Sequence, residues 1–273
     1  TPTYQNITVI DGYIRGAIAY IDLNDNKQLD SDEPWIETGA NGFGKIETTS
    51  LGLVPEDIKV IVNVPTGAVD ESTISSENPE GIAITEESAF QLLSLPGESL
   101  ATPLTTLVSM SAGNNGDIVE AKAEVAENLG INIEDVSADY LEAGNEVLTV
   151  LTELIIANQV IPQDLTSEIT PAQLLVATTI SSQISKVVQE ANENGVLDAN
   201  NNAIRAASAA TATAVIRFVD ENSATLSDES GNDFVAIIEQ VNRVSYNSFE
   251  TLLTSTEEVS EEDDSEEESD EEL

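Results

Sequence analysis

Asp22–Pro34 reads D-L-N-D-N-K-Q-L-D-S-D-E-P. Oxygen-bearing side chains fall at Asp22, Asn24, Asn26, Asp30 and Glu33, which are loop positions 1, 3, 5, 9 and 12. Gln28, at position 7, offers its backbone carbonyl. This is the ligand spacing of an EF-hand-type calcium loop. Ca²⁺ takes about 6–8 oxygens at about 2.3–2.6 Å, and a tight loop with alternate side chains turned inward supplies them. Glu33 stands where the bidentate carboxylate belongs. Position 6, usually glycine for a sharp turn, is Lys27. Either a non-glycine residue takes that turn or the loop bends another way. The plain alternative is an Asx-rich turn without metal, because Asp and Asn favour turns in any case.

Extended chain flanks the loop on both sides. Residues 1–10 (T-P-T-Y-Q-N-I-T-V-I) read as a leader entering a strand. Tyr13–Asp22 alternates, with Ile14, Ile18 and Tyr20 on one face and Arg15, Ala17 and Ala19 on the other. After the loop come a short strand at Trp35–Thr38, a turn at Gly39–Gly42 and extended chain at Gly44–Thr49. Ile58, Val60, Val62 and Val64 alternate as far as Pro65. Val69–Ile74 and Gly81–Thr85 read as edge strands around a loop at Ser75–Glu80. Short strands at this spacing predict a calcium-binding β-sandwich over residues 1–99.

The run from Val9 to Gly44 resembles the prealbumin-like and SdrD-B-like sandwich modules of bacterial surface proteins. Those modules carry D-x-N-x-[DN]-G-x-x-D-x-x-E-P before a strand, then a T-x-x-x-G-x-[FY] turn. Asp22, Asn24, Asn26, Asp30, Glu33, Pro34, Thr38 and Gly42 match, Phe43 supplies the aromatic one place earlier than the pattern has it, and Lys27 departs. The resemblance covers roughly residues 7–65. It implies a calcium-stiffened extracellular spacer, not a catalyst. A second run, A-T-P-L-T-T-L-V from Ala101 and then E-A-K-A-E-V-A-E-N-L-G-I, resembles a helical segment that follows such modules in large secreted bacterial proteins. It brings no mechanism with it.

Beyond Thr102 the period becomes helical. Thr102-Pro103 supplies a cap and a first-turn proline. Ile118, Ala121, Val125 and Leu129 form a stripe ended by Gly130. Val147, Leu148, Leu151, Leu154 and Ile155 form the next, before Pro162. Thr170-Pro171 opens a third, closed by Asn194-Gly195. Further stripes run from Ile204 to Phe218 and from Phe234 to Leu252. Five amphipathic stripes predict an α-helical bundle over residues 100–255, so the fold class is α+β. Residues 256–273 hold 12 acids and no base, which predicts a disordered acidic tail.

Composition narrows the chemistry. The 273 residues carry 51 acids and 9 bases, a formal net charge of −42, and neither cysteine nor histidine. Disulfides, Cys- or His-built zinc, copper or haem sites, and Ser-His-Asp or Cys-His catalysis are therefore excluded. The charge repels nucleic acid and anionic membranes and favours cations. Salt of marine strength shortens the Debye length to well below about 10 Å and relieves self-repulsion, which fits a saline extracellular or cell-surface setting. The longest apolar stretch, Val147–Ile161, is broken by Glu153 and Asn158 and is too short for membrane insertion. Residue 1 is Thr, so the chain reads as a mature product or a fragment.

Other motifs are poorer. Asp198, Asn200 and Asn202 repeat the start of a calcium loop, but position 12 is Ala209. Asp228, Asn232 and Asp233 read as a cap before Phe234. Gly39–Gly44 is glycine-rich but lacks the lysine and helix of a phosphate loop. Trp35 suits core packing better than ligand stacking. Lys45 and Lys59 suggest an intramolecular isopeptide bond by the resemblance, against ordinary solvated lysines. The readings that remain are a secreted structural protein for adhesion or filament assembly, a carboxylate-based extracellular hydrolase with an accessory sandwich, and a calcium-sequestering polyanion. Partners under the first are other surface proteins or further copies. In that case the leader Thr1–Ile10 joins a neighbour's sheet head to tail, or else residues 5–10 pair at home and residues 1–4 fray.

Overall fold

The structure is a computed structural model describing residues 2–113, 116–197 and 202–221, without the side chains of residues 218 and 220. The stripe from Phe234, the acidic stretch 256–273, Asp198, Asn200 and the cap residues Asp228, Asn232 and Asp233 lie outside the described residues. Strands occupy the N-terminal part and helices follow, a mixed α+β arrangement.

The strands are β1 (Tyr4–Val9), β2 (Ile14–Arg15), β3 (Ile18–Ile21), β4 (Trp35–Glu37), β5 (Phe43–Glu47), β6 (Val60–Val64), β7 (Val69–Asp70), β8 (Ile82–Ala83), β9 (Phe90–Leu93) and β10 (Leu100–Ala101). They form three sheets, ordered β10-β1-β5, β2-β7-β8 and β4-β3-β6-β9. In the four-stranded sheet Ala19 lies beside Ile36 and Val62, and Val62 beside Leu92. This face meets the β1–β5 pair. Gly44 of β5 makes room for it, since a Cβ there would stand 2.2 Å from Ile36 Cδ1. The opposite face carries Tyr20, Ile61 and Leu93.

Of the two readings of the leader, pairing at home is the one the structure has, and the leader is not left as a free strand. β1 is the centre strand of its sheet, antiparallel to β5 from Tyr4↔Glu47 to Thr8↔Phe43 and parallel to β10 at Val9↔Ala101. One edge is paired along Tyr4–Thr8 and the other at Thr8 and Val9, and Ile7, Val9 and Ile10 have no exposed surface. Thr3 is tied as well, because its carbonyl accepts the Thr48 N–H at 2.9 Å. Tyr13–Asp22 is not the one strand expected. Gly16, at φ +84°, breaks it into β2 and β3, which enter different sheets. Buried Thr38 holds the break: its hydroxyl donates to the Ile14 carbonyl (2.7 Å) and accepts the Ala17 N–H (2.9 Å).

Helix α1 (Pro103–Ala112) leaves β10 directly, with Thr102 and Thr105 in a reciprocal capping box. The Thr105 hydroxyl donates to the Leu93 carbonyl, and the Thr106 hydroxyl accepts the Leu93 N–H. These bonds fasten the first turn of α1 to β9. Eight of its ten residues are buried, so it has no polar face. Around it lie α2 (Ile118–Leu129), capped by Asp117 and ended by Gly130 at φ +63°, and α3 (Glu146–Ala157), capped by Asn145. Then come α4 (Pro171–Glu193), with a Thr170–Gln173 capping box, and α5 (Asn202–Glu221). One buried apolar cluster includes Ile7 of β1 and Val219 of α5, and it continues across positions 99 and 100. No helix among the described residues is long and apolar enough to cross a membrane.

Candidate metal centre

The loop from Asp22 to Pro34 joins adjacent antiparallel strands. Its mouth is fixed by the Tyr20↔Trp35 pair and by the Ile21 N–H donating to the Pro34 carbonyl. Inside it, Asp and Asn side chains replace the missing ladder. Asp22 Oδ1 accepts the N–H groups of Asn24 and Asn26, both at 3.2 Å, and Asp22 Oδ2 accepts that of Lys27 at 2.7 Å. Asn24 Oδ1 accepts from the Asn26 N–H, and Asn26 Oδ1 from the Gln28 N–H. Such Asx bonds curl the backbone around the side-chain oxygens. The curl requires positive φ at Asp25 (+60°) and at Lys27 (+56°). Lys27 thus takes the sharp turn in place of glycine, and the Tyr20 hydroxyl steadies it by donating to the Lys27 carbonyl at 2.8 Å.

The far side of the loop closes on carboxylates. The side-chain amides of Asn24 and Asn26 both donate to Asp30 Oδ2 at 2.8 Å. Glu33, 5% exposed, accepts the Leu23 N–H on Oε1 (2.7 Å) and the Asp30 N–H on Oε2 (3.0 Å). Loop positions 1, 3, 5, 9 and 12 are therefore linked in one hydrogen-bonded ring. Gln28 joins it through its backbone, and its side chain is exposed.

The chemistry of this donor set fits a hard divalent cation. Its side-chain donors are all oxygen, and three are carboxylates. Two amide donors converge on Asp30 Oδ2, supplying the positive partner that a cation would supply. Each of those amides carries an oxygen on the same carbon. Glu33 uses two of about four lone-pair sites for backbone N–H groups and keeps the others. Among the described residues no group of three or more His, Cys, Asp or Glu is gathered closely enough to hold a metal ion. The three acids are spaced around the ring by the asparagines.

Tyr20 lies under the loop, and its phenol is pushed up by burial and then by the charges of Asp22 and Glu33. One wall of the loop also borders a cleft of about 470 Å³ that reaches the end of α1. Trp35, expected in the core, is 53% exposed. It lies on edge strand β4, whose core-side place is taken by Ile36. Lys45 is exposed above the Phe43 ring at 5.6 Å, an arrangement of a solvated lysine rather than of a cross-link. The glycine-rich turn at 39–42 leads into β5, not into a helix.

A second carboxylate group escaped the sequence reading. Asp11, in the turn between β1 and β2, is buried, and its Oδ1 has no hydrogen-bond partner among the described residues. Its carboxyl is held well above the usual range by burial, then by the charges of Asp70 and Glu153. Asp70 and Glu153 are also raised, each mainly by burial. Gly12, at φ +92°, lets Asp70 approach, since a Cβ there would stand 2.0 Å from Asp70 Oδ1. The buried Tyr140 hydroxyl donates to the Ile10 carbonyl at 3.1 Å, joining this turn to the segment before α3. Asp11-Gly12 reads as an ordinary turn, and only long-range packing buries it. Scans against protein-family models and searches of curated proteins and of solved structures found no match.

Proposed function

We propose that this chain is a calcium-stiffened structural module of a secreted bacterial surface or matrix protein, acting in adhesion or filament assembly rather than in catalysis. The observation that carries the reading is the 22–33 ring, in which five spaced oxygen-bearing side chains and a left-handed residue at position 6 share one hydrogen-bond network. In this reading residues 1–99 act as a β-sandwich, residues 100–255 as a helical bundle braced against it, and residues 256–273 as a source of charge. Asp22, Asn24, Asn26, Asp30, Glu33 and the Gln28 carbonyl hold the ion. It cross-links a loop in which Asp30 Oδ2 otherwise relies on two asparagine amides. Partners are other surface proteins or further copies, and β1 stays in its own sheet. Neither nucleic acid nor a bilayer suits a net charge of −42.

Calorimetry with Ca²⁺ tests the ion, and Glu33→Gln should remove most of the affinity. Because the ion binds only the folded state, Ca²⁺ at about 100 times Kd should add roughly 2.7 kcal/mol to stability. A melting curve indifferent to EDTA would end the structural role. Light scattering in millimolar Ca²⁺ then separates assembly from a monomeric adhesive module.

A further inference from the structure

We propose that the cleft between the 22–34 loop and the C-terminal end of α1 binds a small cationic amphiphile, an alkyl or aryl-alkyl primary amine. Its volume of about 470 Å³ lies within the range of small-molecule sites, roughly 300–1,000 Å³. Its floor is apolar and comes from rigid elements: Ile21 of β3, Ile61 of β6, Leu93 of β9 and Met110 of α1, with Leu165 closing one side. Methionine adapts its shape to an irregular ligand. Leu53 and Val54 form a lip that is 40% and 52% exposed, apolar surface that an alkyl chain would cover.

The rim decides the sign of the ligand. Asp22, Asp25, Asp57 and Glu168 outnumber Lys27 and Lys59, on a chain of net charge −42. A low-dielectric cleft with such a rim concentrates cations and repels anions. An ammonium group at the rim and a hydrocarbon body on the floor satisfy both parts. A free carboxylate would meet repulsion, and a neutral alcohol would gain the floor alone.

The test titrates the full chain with n-octylammonium, n-octanol and octanoate in EDTA, followed by calorimetry and protein-observed NMR. EDTA keeps the outcome independent of the calcium reading. Octylammonium should bind one to one, about tenfold tighter than octanol, with octanoate weakest. Val54→Trp fills the lip from an exposed position and should cost about tenfold in octylammonium affinity while circular dichroism stays unchanged. Asp57→Asn with Glu168→Gln should bring octylammonium down to the affinity of octanol. Equal binding of octanoate overturns the cationic class. No saturable binding of octylammonium up to its solubility, or full affinity in Val54→Trp, overturns the site.

Discussion

Glu33 and Asp11 are two carboxylates of nearly equal burial, 5% and 8% exposed, and they meet it in opposite ways. Glu33 lies where the backbone has been turned toward it, and each of its oxygens accepts an N–H. Asp11 lies where a glycine turn has brought another acid close, and one of its oxygens accepts nothing among the described residues. Burial, and then the nearby charges of Asp70 and Glu153, hold the Asp11 carboxyl well above the usual range. Two acids of similar depth thus differ in their partners: Glu33 is met by two backbone N–H groups, and Asp11 by other acids, which add to the rise that burial imposes on its carboxyl.

The largest effect should come from removing the better-satisfied acid. Glu33→Ala leaves the Leu23 and Asp30 N–H groups without their charged acceptor. It should cost about 3 kcal/mol in urea denaturation performed in EDTA, at about 1.5 kcal/mol or more for each bond to a charged group. A loss below about 1 kcal/mol would mean that water replaces Glu33 freely and that the ring is soft.

Asp11 should behave the other way. A folded-state pKa above the usual 3.8 means that the native chain holds a proton the unfolded chain releases. That stabilisation is complete below the unfolded-state pKa and is lost as pH rises through the higher folded-state value. Asp70 and Glu153, also raised, add to the same slope, with Arg205 opposing at Glu153. Stability should therefore fall as pH rises above the usual carboxylate value of 3.8, at a salt concentration high enough to screen the surface. Asp11→Asn should flatten the slope and stabilise by about 1 kcal/mol at pH 8, the lower end of the cost of an unsatisfied buried group. If the variant and the parent keep parallel pH profiles, Asp11 is not the proton holder.

The smallest effect belongs to Lys27. Its left-handed backbone is strained for a residue with a side chain, so Lys27→Gly should relieve it, less the extra entropy glycine gives the unfolded chain. A net gain of about 0.5 kcal/mol without calcium is expected, together with tighter Ca²⁺ binding. A loss would show that the Lys27 side chain matters to the ring.

Local signals were the legible ones. The Thr102 and Thr170 caps and Gly130 at the end of α2 all act within about one turn of chain, and each stands where its spacing put it. α1 shows no stripe because it is buried on every side, and periodicity reports only a helix with two kinds of neighbour. β9 was missed for the same reason: all four of its residues are buried, so nothing alternates. Gly16 gave no warning of a break, because a glycine within alternation also fits a plain strand. The burial of Asp11 and the exposure of Trp35 depend on which strand comes to lie beside them.

The parallel pairing of β1 with β10 sets an order on synthesis. β5 can cover one edge of β1 once residue 47 is free, but the other edge waits for residue 101. At about 5–20 residues per second that delay lasts roughly 3–10 s. For this interval a nascent chain carries an open edge flanking Ile7 and Val9, a template for any passing strand. The centre strand of its sheet is thus the one left with an open edge longest on the ribosome.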